Sequence, residues 1–218
     1  DKTPTFTLGN IDSDVAQADI VVLKDGVALD GTLEKVGSTW QFTPSADLLD
    51  GTYDLSVKVT DDAGNSATST ELEVTIDTDA AATITVDAIA GDDIVNAAEA
   101  AGTVAITGTV GGDAKEGDTV TLTLQAEGQD ATTYTGTVAS GGTYSINVPG
   151  SVLASDADST IVASVSGTDE AGNAFTATTD ASGDNKDGGY EVDTGISKPT
   201  IDLVASSDSG DSDTDNLT

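Results

Sequence analysis

The chain has no cysteine, methionine, histidine or arginine. Without cysteine there is no disulfide, no thiol nucleophile and no thiolate metal site. Without histidine the usual general base at neutral pH is missing. All seven basic residues are lysines, against 39 acidic ones, for a net charge of −32. A surface so poor in cations cannot displace counterions from a nucleic acid, and it is repelled by anionic lipid headgroups. Aromatics are 4% of the residues, which offers little for an exposed sugar-stacking platform. No apolar run approaches the ~18 residues of a membrane-spanning helix. Nucleic acid and direct membrane insertion are therefore excluded as partners. No pair of carboxylates stands out as a glycosidase couple, so an enzyme is not expected either.

What is present is carboxylate, threonine, valine and glycine in short alternating runs. Residues 19–24, 38–43, 52–60, 67–76, 82–87, 103–110, 119–126, 131–138, 143–148, 159–166 and 188–193 each read as a strand, with Gly and Asp between them. Turns at 8–12-residue spacing are the pattern of an all-β sandwich. Lys24-Asp25-Gly26 reads as a hairpin turn. Trp40 and Phe42 alternate with polar residues and read as core, whereas Tyr134 and Tyr144 read as sheet-surface residues. Only 93–101 (DIVNAAEAA) suggests helix, with Asp92 or Asp93 as its cap.

The chain also repeats itself. TDDAGNSA at 60–67 returns as TDEAGNAF at 168–175, with Gly64 and Gly172 108 residues apart. That spacing is about one immunoglobulin-like sandwich. Tyr53, Leu55 and Val57 then fall on Ile161, Ala163 and Val165. The linker Asp77-Thr78-Asp79 falls on Asp193-Thr194-Gly195. The expected organisation is tandem immunoglobulin-like Greek-key β-sandwiches in an elongated arrangement. One domain covers 1–78 and a second 79–195; 196–218 are the first strand and acidic loop of a following repeat. On this reading the first domain lacks its own first strand. The tail of a neighbouring molecule would supply it, by strand exchange between copies.

The acidic residues concentrate in turns and linkers. Asp61, Asp62 and Asn65 lie in the first AGN turn, and Asp169 and Asn173 in the second. Asp77, Asp79 and Asp193 lie in the linkers; Asp92, Asp93, Asn96 and Glu99 lie in the GDDIVNAAEA loop. Asp208, Asp211, Asp213 and Asp215 lie in the tail. With only hard oxygen donors available, the cation these groups suit is Ca2+. Each cluster has a plainer reading beside this one: an Asx turn bracing a hairpin, a helix N-cap, and a solvated acidic tail.

The stretches KDGVALDGTLEKVGSTWQFTPSADLLDGTYDLSVKVTDDAGN, AGDDIVNAAEAAGTVAITGTVGGDAKEGDTVTLTL, GTYSINVPGSVL and SDSGDSDTDNLT resemble the bacterial Ig-like repeats of giant, calcium-dependent surface adhesins secreted by type I systems. The resemblance implies an extracellular extender at the bacterial surface, with neighbouring repeats of the same chain as its contacts and Ca2+ at the domain junctions. A module that adheres to glycans or to a copy of itself is the alternative.

Overall fold

The computed structural model describes residues 1–125, 130–179 and 188–201. The chain is all-β and divides into two compact units. The first comprises Asp1–Ala82 with Gly112–Ala114 and Ser166–Thr176. The second comprises Thr83–Gly111, Lys115–Val165 and Ala177–Thr218.

The first eight strands are β1 (Phe6–Leu8), β2 (Ile20–Lys24), β3 (Val27–Ala28), β4 (Gly31–Val36), β5 (Thr39–Pro44), β6 (Gly51–Thr60), β7 (Ser66–Thr68) and β8 (Leu72–Ile76). One sheet runs β1-β5-β4. The other runs β3-β2-β6-β7, with β8 also on β6. Leu8 and Phe42 of the first sheet meet Ile20 and Val22 of the second in a common core, with Trp40 packed partly buried against it. The expected hairpin at Lys24–Gly26 joins β2 to β3. Asp25 (φ 52°) and Gly26 (φ 79°) supply the two positive-φ positions of a tight turn.

The remaining strands are β9 (Ala82–Ile84), β10 (Ile94–Asn96), β11 (Thr103–Gly112), β12 (Thr119–Leu124), β13 (Thr132–Thr137), β14 (Thr143–Pro149), β15 (Val162–Thr168), β16 (Ala174–Thr178) and β17 (Glu191–Asp193). They form sheets β14-β11-β9 and β13-β12-β15-β16, plus a parallel pair β10-β17. Strict alternation buries Tyr144, Ile146 and Val148 on β14 and Val120, Leu122 and Leu124 on β12. Among the described residues no helix is long and apolar enough to cross a membrane.

Three local expectations are corrected. The run 67–76 is not one strand. It breaks between β7 and β8, and the ladder on β6 shifts by one residue: Lys58 faces Thr68, but Leu55 faces Leu72. This is a bulge. Ser69 holds it, because its N–H donates to Val57 O while its hydroxyl accepts from Val57 N–H at 3.0 Å. Thr179 makes the same pair of bonds with Ala163. The helix expected over 93–101 is one turn, α1 (Ala97–Ala100), preceded by strand β10. Its cap is Asn96, not Asp92 or Asp93. Tyr144 is core rather than surface: it is 2% exposed, and its hydroxyl donates to Thr85 O at 2.8 Å.

Candidate metal-binding turns and linker

The repeated AGN turns have the same internal geometry. Asp61 N–H donates to Asn65 O, and Asp169 N–H donates to Asn173 O, each at 3.0 Å. In the first turn Asp61 Oδ1 accepts from the N–H of Ala63 and Asn65, and Oδ2 accepts from Asn65 Nδ2 at 2.8 Å. In the second, Asp169 Oδ1 accepts from Asn173 N–H and Oδ2 from Asn173 Nδ2, both at 2.8 Å. Gly64 (φ 86°) and Gly172 (φ 94°) turn the chain through the left-handed region that other L-residues rarely adopt. Each turn is thus an Asx-braced hairpin end.

These bonds set the charge state of the two carboxyls. The Asn65 side chain and N–H hold the Asp61 carboxyl below the usual carboxylate range. For Asp169 burial is the largest single influence and pushes upward. Hydrogen bonds from Asn173, Gly172 and Ala171 together outweigh it, and the net shift is downward. Asp62 beside Asp61 is exposed.

Within the first unit the Asp77–Ala82 linker is held by side chains. Asn173 Nδ2 donates to Asp77 O at 3.2 Å. The Thr78 hydroxyl donates to both oxygens of Asp50, at 2.9 and 3.0 Å. Ala81 N–H donates to Asp113 Oδ2 at 2.8 Å, and Asp113 N–H returns a bond to Ala81 O. The Asp79 N–H donates to Asp77 Oδ1 at 3.3 Å, and both side chains are exposed. The Thr78 hydroxyl, with help from Thr78 N–H and Lys2, holds the Asp50 carboxyl low against its partial desolvation. The ammonium of Lys2 lies 3.7 Å from Asp50 Oδ1.

The GDDIVNAAEA loop is organised by its own backbone. Asp92 Oδ1 accepts from Ile94 N–H, and Asp93 Oδ1 accepts from Ile89 N–H. Asn96 and Glu99 form a reciprocal capping box at the start of α1. Asp193 pairs with Asn96 across the β10-β17 ladder and braces Gly195 N–H. Asp208, Asp211, Asp213 and Asp215 lie outside the described residues.

The sequence-marked residues therefore come together as pairs: Asp61 with Asn65, Asp169 with Asn173 and the linker carbonyl, Asn96 with Glu99. Among the described residues no three acidic side chains gather as a group able to hold a metal ion. The donor chemistry on hand is all hard oxygen, from carboxylate, amide and main-chain carbonyl, and suits Ca2+ rather than a soft metal.

Three functional-looking carboxylates escaped the sequence reading. Asp50 and Asp113 anchor Thr78 and Ala81 of the linker from 28 and 32 residues away, and no local motif marks them. Asp156 is 8% exposed and accepts from Gln125 N–H, Thr160 N–H and the Tyr190 hydroxyl. Burial pushes its carboxyl up, although those bonds oppose the rise. Burial likewise raises the Tyr190 phenol, which also donates to Leu153 O at 2.9 Å.

A bacterial Ig-like domain family model matches residues 1–78. A solved structure bearing on host cell surface retention of a 1.5-MDa bacterial ice-binding adhesin is 36% identical, with TM-score 0.54. The match covers 88% of this chain and 58% of that one. The structure of a Ca2+-stabilized adhesin that helps an Antarctic bacterium reach out and bind ice is 35% identical, with TM-score 0.53, covering 93% and 47%. A bacterial immunoglobulin-like domain from the M. primoryensis ice-binding adhesin is 42% identical over 54% of this chain and all of its own length, with TM-score 0.41. The chain thus spans about half the length of the first two structures. No curated protein matches it.

Proposed function

We propose, from the premise that this chain belongs to the bacterial Ig-like domain family, that it is a calcium-stabilised extender in a large bacterial surface adhesin. Its role is to space a distal adhesive part from the cell, outside which it works. It is not an enzyme, and its contacts are neighbouring repeats of the same parent chain. Its domains run 1–78 and 79–195, with 196–218 opening the next repeat. The observation that carries this reading is the linker Asp77–Ala82, an acidic connection anchored by Asp50, Asn173 and Asp113 rather than left free. Its relatives, one of them an adhesin stabilised by Ca2+, support the same role.

The residues that would hold Ca2+ are Asp77 and Asp79 with the Asp77 carbonyl, together with Asp169 and Asn173. Asp61, Asp62 and Asn65 would serve at the equivalent turn, and Asp92, Asp93, Asn96, Glu99 and Asp193 at the other loop. A bound cation would offset part of the −32 charge and limit bending of the linker. Weak extracellular-type sites, with Kd of about 10⁻⁴–10⁻³ M, fill outside a cell and empty inside it. At a hundredfold excess over Kd they stabilise the folded form by about 2.7 kcal/mol.

Thermal unfolding in calcium, magnesium and chelator at matched ionic strength tests the reading. A rise in Tm with calcium alone is expected, lost in the Asp77→Asn/Asp79→Asn variant. Superimposable curves in all three conditions overturn it.

A further inference from the structure

Glycine follows aspartate at four places: Asp25-Gly26, Asp30-Gly31, Asp50-Gly51 and Asp187-Gly188. Such a pair is a chemical weak point. With no Cβ on the second residue to hinder the approach, the glycine main-chain nitrogen can attack the aspartate Cγ. Asp187 lies outside the described residues, which leaves three pairs to compare.

Two of them are restrained at the carboxyl. Asp25 Oδ1 accepts from Asp54 N–H at 3.0 Å, and its Oδ2 accepts from the Lys24 ammonium at 3.5 Å. Both oxygens of Asp50 accept from the Thr78 hydroxyl, and Oδ2 also accepts from Thr78 N–H at 3.2 Å. Each carboxyl must leave those bonds before its Cγ can meet the glycine nitrogen.

Asp30 differs. It lies between β3 and β4 and is exposed, and among the described residues nothing bonds to its carboxyl. Its main chain is fixed instead: Asp30 O accepts from Ser45 N–H at 3.0 Å. Bonding alternates from residue to residue along an antiparallel ladder. Gly31, which faces Pro44, therefore turns its N–H away from β5. Among the described residues β4 has no strand on its far side, so no ladder acceptor takes that N–H. Glycine at 31 is a demand of packing, because a Cβ there would collide with the Phe42 ring and Thr43 O. The core thus imposes the reactive second half of the pair, and the first half is left unrestrained.

We propose that Asp30 is a site of spontaneous covalent modification, converting to isoaspartate in the folded chain. The Gly31 nitrogen gives up its proton and bonds to Asp30 Cγ. The protonated carboxyl loses its hydroxyl, which leaves with that proton as water, and a succinimide ring closes. Water then opens the ring. Attack at Cγ breaks the new N–C bond and restores aspartate. Attack at the main-chain carbonyl breaks the original peptide bond, so that the chain runs through Cγ and the α-carboxylate is set free. Water is the only co-reactant, and the product has the composition of the starting chain. Conversion inserts Cβ into the main chain ahead of β4 and turns the carbonyl that Ser45 N–H bonds into a carboxylate oxygen. The site does not rest on the extender reading.

Incubation of the folded chain for weeks at neutral pH tests this. Peptide mapping with electron-transfer fragmentation then distinguishes isoaspartate from aspartate of equal mass. Isoaspartate at position 30 is expected to accumulate about tenfold or more faster than at 25 and 50, whose charge-assisted bonds must break first. A ring form lighter by a water appears at 30 as the intermediate. In urea, where all three pairs lose their surroundings, the rates converge. Asp30→Glu removes the signal and, at an exposed position, leaves thermal unfolding unchanged. Conversion at 30 no faster than at 25 and 50 in the folded chain overturns the proposal. So does a lead at 30 that persists undiminished in urea, since the local sequence and not the fold would then select the site.

Discussion

Asp156 is a buried carboxylate that ties three segments together, through Gln125 N–H, Thr160 N–H and the Tyr190 hydroxyl. Replacing it by alanine leaves Gln125 N–H without its acceptor, while Thr160 N–H keeps Asp158 Oδ1 and the Tyr190 hydroxyl keeps Leu153 O. Asp156→Ala is expected to cost about 1–3 kcal/mol, read by urea unfolding; Tyr190→Phe, which spares the backbone donors, costs less. Acid acts on the carboxyls in two directions. Asp50, Asp61 and Asp169 are held below their ordinary value of 3.8. Their stabilising effect is complete above that value and is lost as pH falls through their folded pKa values. Asp156 is shifted upward, so the folded state holds its proton more tightly than the unfolded one. Its ionisation costs stability as pH rises from 3.8 through its folded value. Unfolding free energy measured from pH 7 to pH 2 should therefore fall below about pH 4 in the wild type. The Asp156→Asn variant, which cannot ionise there, should lose the opposing contribution and fall more steeply.

At the scale of elements, the strand preceding β5 and the one preceding β14 take different partners. β4 pairs with β5, whereas β13 pairs with β12. Both carry a glycine against the same core position. A Cβ on Gly31 would collide with the Phe42 ring, and one on Gly136 would meet Ile146 Cγ1 at 2.7 Å. Gly136→Val is expected to destabilise by about 1–3 kcal/mol through overpacking, measured by chemical unfolding. The AGN hairpins respond to backbone instead: Gly64 sits at φ 86° in open space. Gly64→Ala should cost about 1 kcal/mol from the left-handed backbone alone. Strand positions, the Lys24–Gly26 hairpin and the AGN turns were legible because each has a local cause, in alternation or turn chemistry. The break at Ser69 was not, because its hydroxyl replaces a ladder acceptor only once β6 is alongside. The cap at Asn96 was misassigned to Asp92 or Asp93, since β10 consumes the residues expected to start the helix.

For the whole molecule, 39 acidic groups face seven cations, so most carboxylates have no lysine to pair with. Most of the charge is uncompensated self-repulsion. Monovalent salt should raise Tm progressively as the Debye length shrinks from about 10 Å at 0.1 M toward 3 Å at 1 M. A specific calcium effect must appear above this baseline, which is why ionic strength is held constant in the unfolding comparison. A salt titration without any rise in Tm would show that repulsion does not limit stability.

By itself the sequence determined the β class, the repeat of AGN turns 108 residues apart and the hard-oxygen chemistry of its polar groups. Those follow from residue type and spacing, which act over a few neighbours. Only tertiary structure decided which oxygens are engaged. Asp61 and Asp169 spend theirs on their own turns, and Asp50 and Asp113 reach the linker from distant loops. It also decided that Tyr144 is core and that, among the described residues, β1 lies at the end of its sheet. Such outcomes depend on which strands become neighbours, and alternation along a single strand carries no information about the strand beside it.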